Sequence, residues 1–300
     1  MPNKNRSSHG QIRKDYIAYL FILPALVLFI LFVGYPIIAS FYLMFCKYNL
    51  ISPPQFIGMA NVIKFLGDKE VPQVLLSSLK LLVVLVTVHV TLGLIIAYLV
   101  NSAGGKKSSV YRTIIYIPTI MTTVSVATAW SYLYDTDFGV INYFLSKIGI
   151  EKIPWLNSSK WAFWAIVIFS IWKFIGTPFL YYYIGLQNIP SSLYEAAQID
   201  GANGRQKFFY VTLPMLTPTI FMVIVLSLIS YIQCFDEPYV LTGGGPGIST
   251  TTVSLYIYRN FQAQNISYAS ILSVFLFIVI MVITIVQFKA SNKWVNYDTE

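Results

Sequence analysis

Charge is scarce in this sequence: Asp, Glu, Lys and Arg make up 11% of its 300 residues, against about 25% in ordinary soluble domains. With 56% hydrophobic residues beside so little charge, the chain cannot wrap a single core in a water-facing shell, and the composition reads as a membrane protein. Cysteine is confined to Cys46 and Cys234, both in or beside apolar segments, which excludes a disulfide framework and a cysteine-rich metal cluster. Histidine is confined to His9 and His89, so no His-Glu-x-x-His zinc site exists, and neither that pair nor any other suggests an intramembrane enzyme. The glycine run Gly243-Gly244-Gly245-Pro246-Gly247 has no following Lys-Ser or Lys-Thr and is therefore no Walker A loop; ATP, if used, is bound by another chain.

What is present is a series of apolar segments. Six can be drawn at about 16–45, 74–100, 112–134, 161–186, 216–240 and 269–288, each at or above the ~20 residues that span a bilayer. They predict an all-α membrane protein with six transmembrane helices in one bundle and one domain over residues 1–300, the polar stretch Met1–Asp15 forming a disordered tail before an uncleaved first span. The formal charge of +8 could suggest nucleic acid, but its distribution does not. With a cytoplasmic N terminus, the inner side carries eleven basic and five acidic residues, while the outer loops balance seven against seven. The positive-inside rule then places both termini in the cytoplasm and reads the basic excess as orientation.

The long polar connection of residues 187–215 falls on the cytoplasmic side of that topology. Pro190 sets the turn out of the fourth span, Ser192 and Glu195 have capping-box spacing for a short helix, and Gly201 closes it. A second short helix then runs toward Pro214, giving a helix, a bend and a helix. Glu195-Ala196-Ala197 alone is merely good helix-forming sequence. The whole pattern is more specific: Glu-Ala-Ala, three residues, Gly201, nine residues, an aliphatic, one residue, then Leu213-Pro214. At average residue usage its chance per starting position is on the order of 10^-8.

That pattern resembles the EAA signature of the permease subunits of bacterial ABC importers. Two further stretches resemble the carbohydrate-uptake members of maltose and glycerol-phosphate type: Leu241-Thr242-Gly243-Gly244-Gly245-Pro246 after the fifth span, and Phe138-Gly139-Val140-Ile141-Asn142 with Pro154-Trp155-Leu156 before the fourth. The resemblance implies a MetI-like, type I permease fold in the bacterial cytoplasmic (inner) membrane. It further implies a heterodimer with a second permease subunit, two ATPase subunits holding ATP and Mg, and an extracytoplasmic solute-binding protein. This chain then holds no cofactor of its own. Glu195, Ala196, Ala197, Asp200, Gly201, Leu213 and Pro214 are the ATPase-coupling residues so implied, and Gly243, Gly244, Gly245 and Pro246 the binding-protein contacts.

Polar residues inside the spans mark the expected path. The fifth span carries Ser227, Ser230, Tyr231, Gln233, Cys234 and Asp236, more polarity than a lipid-facing helix holds. Amides and carboxylates suit sugar hydroxyls, and aromatic rings suit the apolar face of a sugar. Ser227, Tyr231, Gln233 and Asp236, together with Trp172, Gly176 and Phe179 of the fourth span, are the substrate-path candidates that the sugar-permease resemblance implies. Lys173, near mid-span, needs a partner, and Asp236 and Glu237 are the available acids. His89, deep in the second span, reads first as a helix-to-helix hydrogen bond. The alternatives are an importer of a non-sugar solute, such as an amino acid or peptide permease, and an ion-coupled secondary transporter using Lys173, Asp236 and His89, for which the set of ionisable residues is thin.

Overall fold

The structure, a computed structural model, describes residues 8–296 and the side chains from Tyr19 onward. It is mostly helical and forms two compact units, one of residues up to Gly67 with 260–274, the other of 68–259 with 275 onward. The first seven residues of the expected tail lie outside the described residues. From Ser8 that tail is already helical rather than disordered.

In the first unit, α1 (Ser8–Phe29) passes through a widened turn at Ile30–Gly34 into α2 (Tyr35–Leu43). No described side chain of the stretch Tyr19–Leu43 is buried, as befits a helix apolar on all sides and solvated by lipid. Beyond it, β1 (Cys46–Lys47) and β2 (Gln55–Phe56) pair antiparallel with Cys46 opposite Phe56. Asn61, in α3 (Ala60–Gly67), ties this hairpin down by donating from Nδ2 to Met44 O at 2.9 Å and Cys46 O at 2.8 Å.

The second unit is built on α4 (Glu70–Ala103), whose buried residues Val74, Ser78, Leu81, Leu85, His89, Gly93, Ala97 and Val100 recur at three- and four-residue steps. Then follow α5 (Gly105–Ile120), α6 (Thr123–Leu133), α7 (Val140–Lys147), α8 (Ser159–Phe174) and α9 (Gly176–Gln187). After them come the short α10 (Ser191–Ile199), α11 (Gly204–Lys207) and α12 (Leu213–Met215), then α13 (Thr217–Ile232); α14 (Val253–Gln262) and α15 (Ile266–Ser291) each have residues in both units. Helix α4 packs chiefly on α9 and α13. The buried cluster there contains Ala97, Val100, Phe179, Tyr182, Tyr183, Leu186, Leu216 and Val223. In lipid such a cluster is held by close packing rather than by escape from water.

Three stretches, Tyr19–Leu43, Glu70–Ala103 and Ile266–Ser291, are long and apolar enough to cross a membrane unbroken. The other three expected spans are each broken into a bent pair. The third splits into α5 and α6 at 94°, where Pro118 removes one hydrogen bond from the last turn and Met121 and Thr122 are extended. The fourth bends by 42° between α8 and α9, because Pro178 cannot donate to Phe174. The fifth bends by 63° at Leu216, between Pro214 and Pro218. It also ends at Ile232, short of the expected 240, so Asp236 and Glu237 lie past the end of α13. The described residues therefore hold three to six segments long and apolar enough to span a membrane, according to whether each bent pair counts as one.

Candidate functional site

The polar connection folds as a helix, a bend and a helix, with one local correction. Helix α10 starts at Ser191 behind Pro190 and carries no side-chain cap, so Ser192 and Glu195 do not form the expected capping box. Ser192 already lies inside the helix, one residue past its start, and Pro190 takes the capping position. The capping box belongs to the next helix: Asn203 Oδ1 accepts from Gln206 N at 2.9 Å and Gln206 Oε1 accepts from Asn203 N at 2.8 Å. Between the two helices Gly201 takes φ +77°, with nothing within 4 Å of where a Cβ would stand. That left-handed residue lets Ala202 N reach Ala197 O at 2.8 Å, closing α10.

Glu195, Ala196, Asp200 and Gly201 are all exposed, while Ala197, Leu213 and Pro214 are half-buried. A shallow cavity of about 190 Å³ opens beside Ala197, Asp200, Gly201, Gln206, Lys207 and Tyr210. Two small side chains and a glycine next to an exposed carboxylate form a surface that another chain can approach closely. Helix α10 holds to the body through Tyr194, whose hydroxyl sits 2.9 Å from Thr212 Oγ1, and through Lys207 Nζ, which donates to Gln198 Oε1 at 3.1 Å.

A cavity of about 410 Å³ lies between the α8–α9 pair and α13 with the turn after it. Ser227, Ser230, Gln233, Asp236 and Glu237 supply its polar atoms, and Phe174, Tyr181, Tyr231 and Phe235 its aromatic rings. Four of the seven expected path residues line it: Ser227, Tyr231, Gln233 and Asp236. The other three stand elsewhere. Trp172 packs against Trp130 with ring centroids 5.2 Å apart, Phe179 is fully buried in the core, and Gly176 abuts α5 at Thr119 and Ile115. The wall from the fourth span is instead Phe174, Thr177, Pro178 and Tyr181. These recur at three- and four-residue steps on the face next to the one that carries Trp172, Gly176 and Phe179.

His89 and Lys173, both buried in the spans, have partners. His89 Nδ1 lies 2.8 Å from Leu85 O and Nε2 3.3 Å from Ser170 O, with its ring 5.0 Å from that of Tyr231. Lys173 is corrected: among the described residues no ion pair joins it to Asp236 or Glu237. Its Nζ donates to Thr119 O at 3.0 Å, at the end of α5 where carbonyls lose their helical partners. Glu237 accepts from Cys234 Sγ at 3.3 Å.

The glycine loop after the fifth span is tightly held. Gly243 and Gly244 have φ +57° and +86°, and a Cβ on Gly244 would stand 2.5 Å from Thr251 Oγ1. Thr251 Oγ1 donates to Gly244 O and Thr250 Oγ1 to Gly245 O, both at 2.9 Å, and Arg259 donates to Gly243 O and Thr251 Oγ1. In the other stretch singled out, buried Asn142 donates from Nδ2 to Thr136 O and Ile153 O. Its Oδ1 accepts from Ile153 N and from Trp155 Nε1, both at 3.1 Å. Asp135 starts this segment, its carboxylate accepting from the N–H groups of Phe138 at 2.8 Å and Asp137 at 2.9 Å; these bonds hold its pKa below the usual value.

With this geometry in hand, comparison with known proteins is decisive. The family model described as binding-protein-dependent transport system inner membrane component matches residues 89–297. The chain belongs to this family. It is 38% identical over 296 residues to the probable ABC transporter permease protein YesP of Bacillus subtilis, covering 96% of this chain and 95% of that one. It is 33% identical over 293 residues to the trehalose/maltose transport system permease protein MalF of Thermococcus litoralis, covering 97% and 98%. Among solved structures it matches a bacterial alginate ABC transporter, crystallised with an alginate pentasaccharide-bound periplasmic protein, at TM-score 0.85 and 25% identity, covering 95% of this chain and 96% of that one. The fold is therefore the MetI-like permease fold, and the protein is a permease subunit of an ABC importer, not an enzyme; ATP hydrolysis in this family belongs to a separate subunit. The permease shares its family's definition as an inner-membrane component that works with a binding protein.

Proposed function

We propose that this permease passes a sugar or oligosaccharide across the bacterial cytoplasmic membrane, as one half of a heterodimeric pore driven by two ATPase subunits. The observation that carries the cargo class is the cavity of about 410 Å³ where hydroxyls, an amide and carboxylates face aromatic rings. That mixture suits a saccharide, whose rim of hydroxyls needs planar hydrogen-bond partners and whose ring faces are apolar. The relatives named for trehalose/maltose, lactose, sulfoquinovosyl glycerol and arabinooligosaccharides support the same class.

In this reading the chain is one transmembrane domain, each bent pair is one of six spans, and both termini are cytoplasmic. Helix α10 is then the coupling helix, seating in an ATPase that holds ATP and Mg. Glu195 offers it a charge-assisted contact, and Ala196, Ala197 and Gly201 allow close approach. ATP-driven closure of the ATPases draws the cytoplasmic ends together and opens the outer side. Gly243 to Pro246 meet the loaded solute-binding protein on the outside.

The test has two arms. The permease's own solute-binding protein is screened against labelled trehalose, maltose, lactose and arabino-oligosaccharides, and the retained saccharide is followed into proteoliposomes holding the full importer. Uptake that requires Mg-ATP inside is expected. Uptake by the isolated chain on an ion gradient alone overturns the reading, and retention of amino acids or peptides instead of saccharides overturns the cargo class.

A further inference from the structure

Most of α10 faces solvent; Tyr194 and Ala197 are its half-buried members. Tyr194 is also the α10 residue packed against the buried cluster around Phe179, Tyr182, Tyr183 and Leu216. Its hydroxyl bond to Thr212 Oγ1, at 2.9 Å, joins α10 to a side chain only 1% exposed. Thr212 Oγ1 also lies 3.3 Å from Lys207 O, and either hydroxyl can donate in the bond it shares with Tyr194. Lys207 returns to α10 through Gln198, one helical turn beyond Tyr194 on the same face. The four residues, with the Lys207 backbone carbonyl as one link, thus close a ring between α10 and the stretch that leads into α13. Its Gln198–Lys207 side is exposed and its Tyr194–Thr212 side is sheltered. Past Thr212 the same stretch continues to Val223, Leu226, Ser227, Ser230 and Tyr231, all of which line the cavity.

We infer that Tyr194 is the positioning residue of the coupling helix: its hydroxyl bond to Thr212 fixes the angle of α10 against the base of the fifth span, so that a displacement of α10 reaches the cavity wall. The inference rests on the coupling role proposed above for α10. Loss of the bond frees α10 to tilt under the ATPase without carrying α13 along.

Tyr194→Phe keeps the ring and deletes its hydroxyl, Thr212→Val deletes the hydroxyl facing it, and Thr212→Ser keeps that hydroxyl. The readout is saccharide moved per ATP hydrolysed by the full importer in proteoliposomes, on complexes matched for assembly and with the saccharide retained in the screen above. The ratio falls roughly tenfold in Tyr194→Phe and in Thr212→Val, about 1.4 kcal/mol, the size of one sheltered neutral hydrogen bond. The double variant falls no further than either single one, and Thr212→Ser stays near the parent. Amide hydrogen exchange over residues 195–202 quickens about tenfold in Tyr194→Phe while that of α4 is unchanged. An unchanged ratio in Tyr194→Phe, faster exchange without a change in ratio, or losses that multiply in the double variant each overturn the inference. Gly201→Asp separates the two levels: if it abolishes uptake while Tyr194→Phe transports normally, only the role of Tyr194 falls; if it leaves uptake intact, the coupling role of α10 falls first.

Discussion

Lys173 and Thr119 exchange hydrogen bonds: Lys173 Nζ donates to Thr119 O and Thr119 Oγ1 donates to Lys173 O, each at 3.0 Å. The exchange joins two interruptions, the end of α5 and the bend between α8 and α9. An ammonium set against the free carbonyls of a helix C-terminus meets the negative end of that helix's dipole. A lysine only 1% exposed is thereby accommodated with no described carboxylate within ion-pair distance.

Removing that ammonium exposes the carbonyl it satisfies. Lys173→Met is expected to destabilise the fold by about 1.5–3 kcal/mol, the range for a hydrogen bond to a charged group. Glu237→Gln should leave stability nearly unchanged. Thermal unfolding of both variants in detergent checks this, and equal losses would restore the ion pair to consideration.

Gly176 sits at the same crossing, and a Cβ there would stand 2.5 Å from Thr119 Oγ1 and 3.0 Å from Ile115 O. The second contact is backbone and cannot rotate away. Gly176→Ala should cost about 1–3 kcal/mol. Adding Thr119→Ala should recover part of that loss but not all, as measured by the yield and melting of folded protein.

Phe179 and Gln233 stood together as path candidates, but the structure gives them different fates. Phe179→Ala empties a buried site and should lose about 3–5 kcal/mol of stability. Gln233→Ala removes an exposed cavity-lining amide and should leave melting within about 0.5 kcal/mol while lowering uptake. Melting and uptake measured side by side separate a packing lesion from a transport lesion.

Gly201→Asp places a side chain where nothing stands within 4 Å. An L residue at left-handed φ costs about 1–2 kcal/mol, and Asp is among the residues that tolerate it. Membrane insertion should therefore survive while ATP-driven uptake is abolished. Retained uptake at normal expression would count heavily against the docking surface.

The Asp135 turn carries a pH signature. Its carboxylate pKa is lowered by the Phe138 and Asp137 N–H groups, so its contribution is present above the unfolded value of about 3.9 and is lost as pH falls through the lower folded value. Fluorescence of nearby Trp155 should be flat from pH 5 to 8 and change only below about 4. Asp135→Asn should remove that acid transition.

Much of this was legible before any coordinates. The Glu195 to Pro214 pattern depends on residue identity at fixed spacing, and Gly201 takes the left-handed turn that only a residue without Cβ adopts freely. The alternation along α4 was visible for the same reason, since one buried face repeats every three or four residues. Lys173 and the fourth-span wall were not legible, because both depend on which helix lies opposite.

The sequence by itself determined that the chain is helical and membrane-embedded, and its motifs pointed to the family: apolar length, scarcity of charge and motif spacing are properties of the chain alone. Only the tertiary structure decided where three of the spans break, which face of α8 and α9 meets the cavity, that a threonine carbonyl receives Lys173, and that Tyr194 reaches Thr212. Each of these is a contact between segments distant along the chain, and helical periodicity says which residues share a face without saying what that face meets.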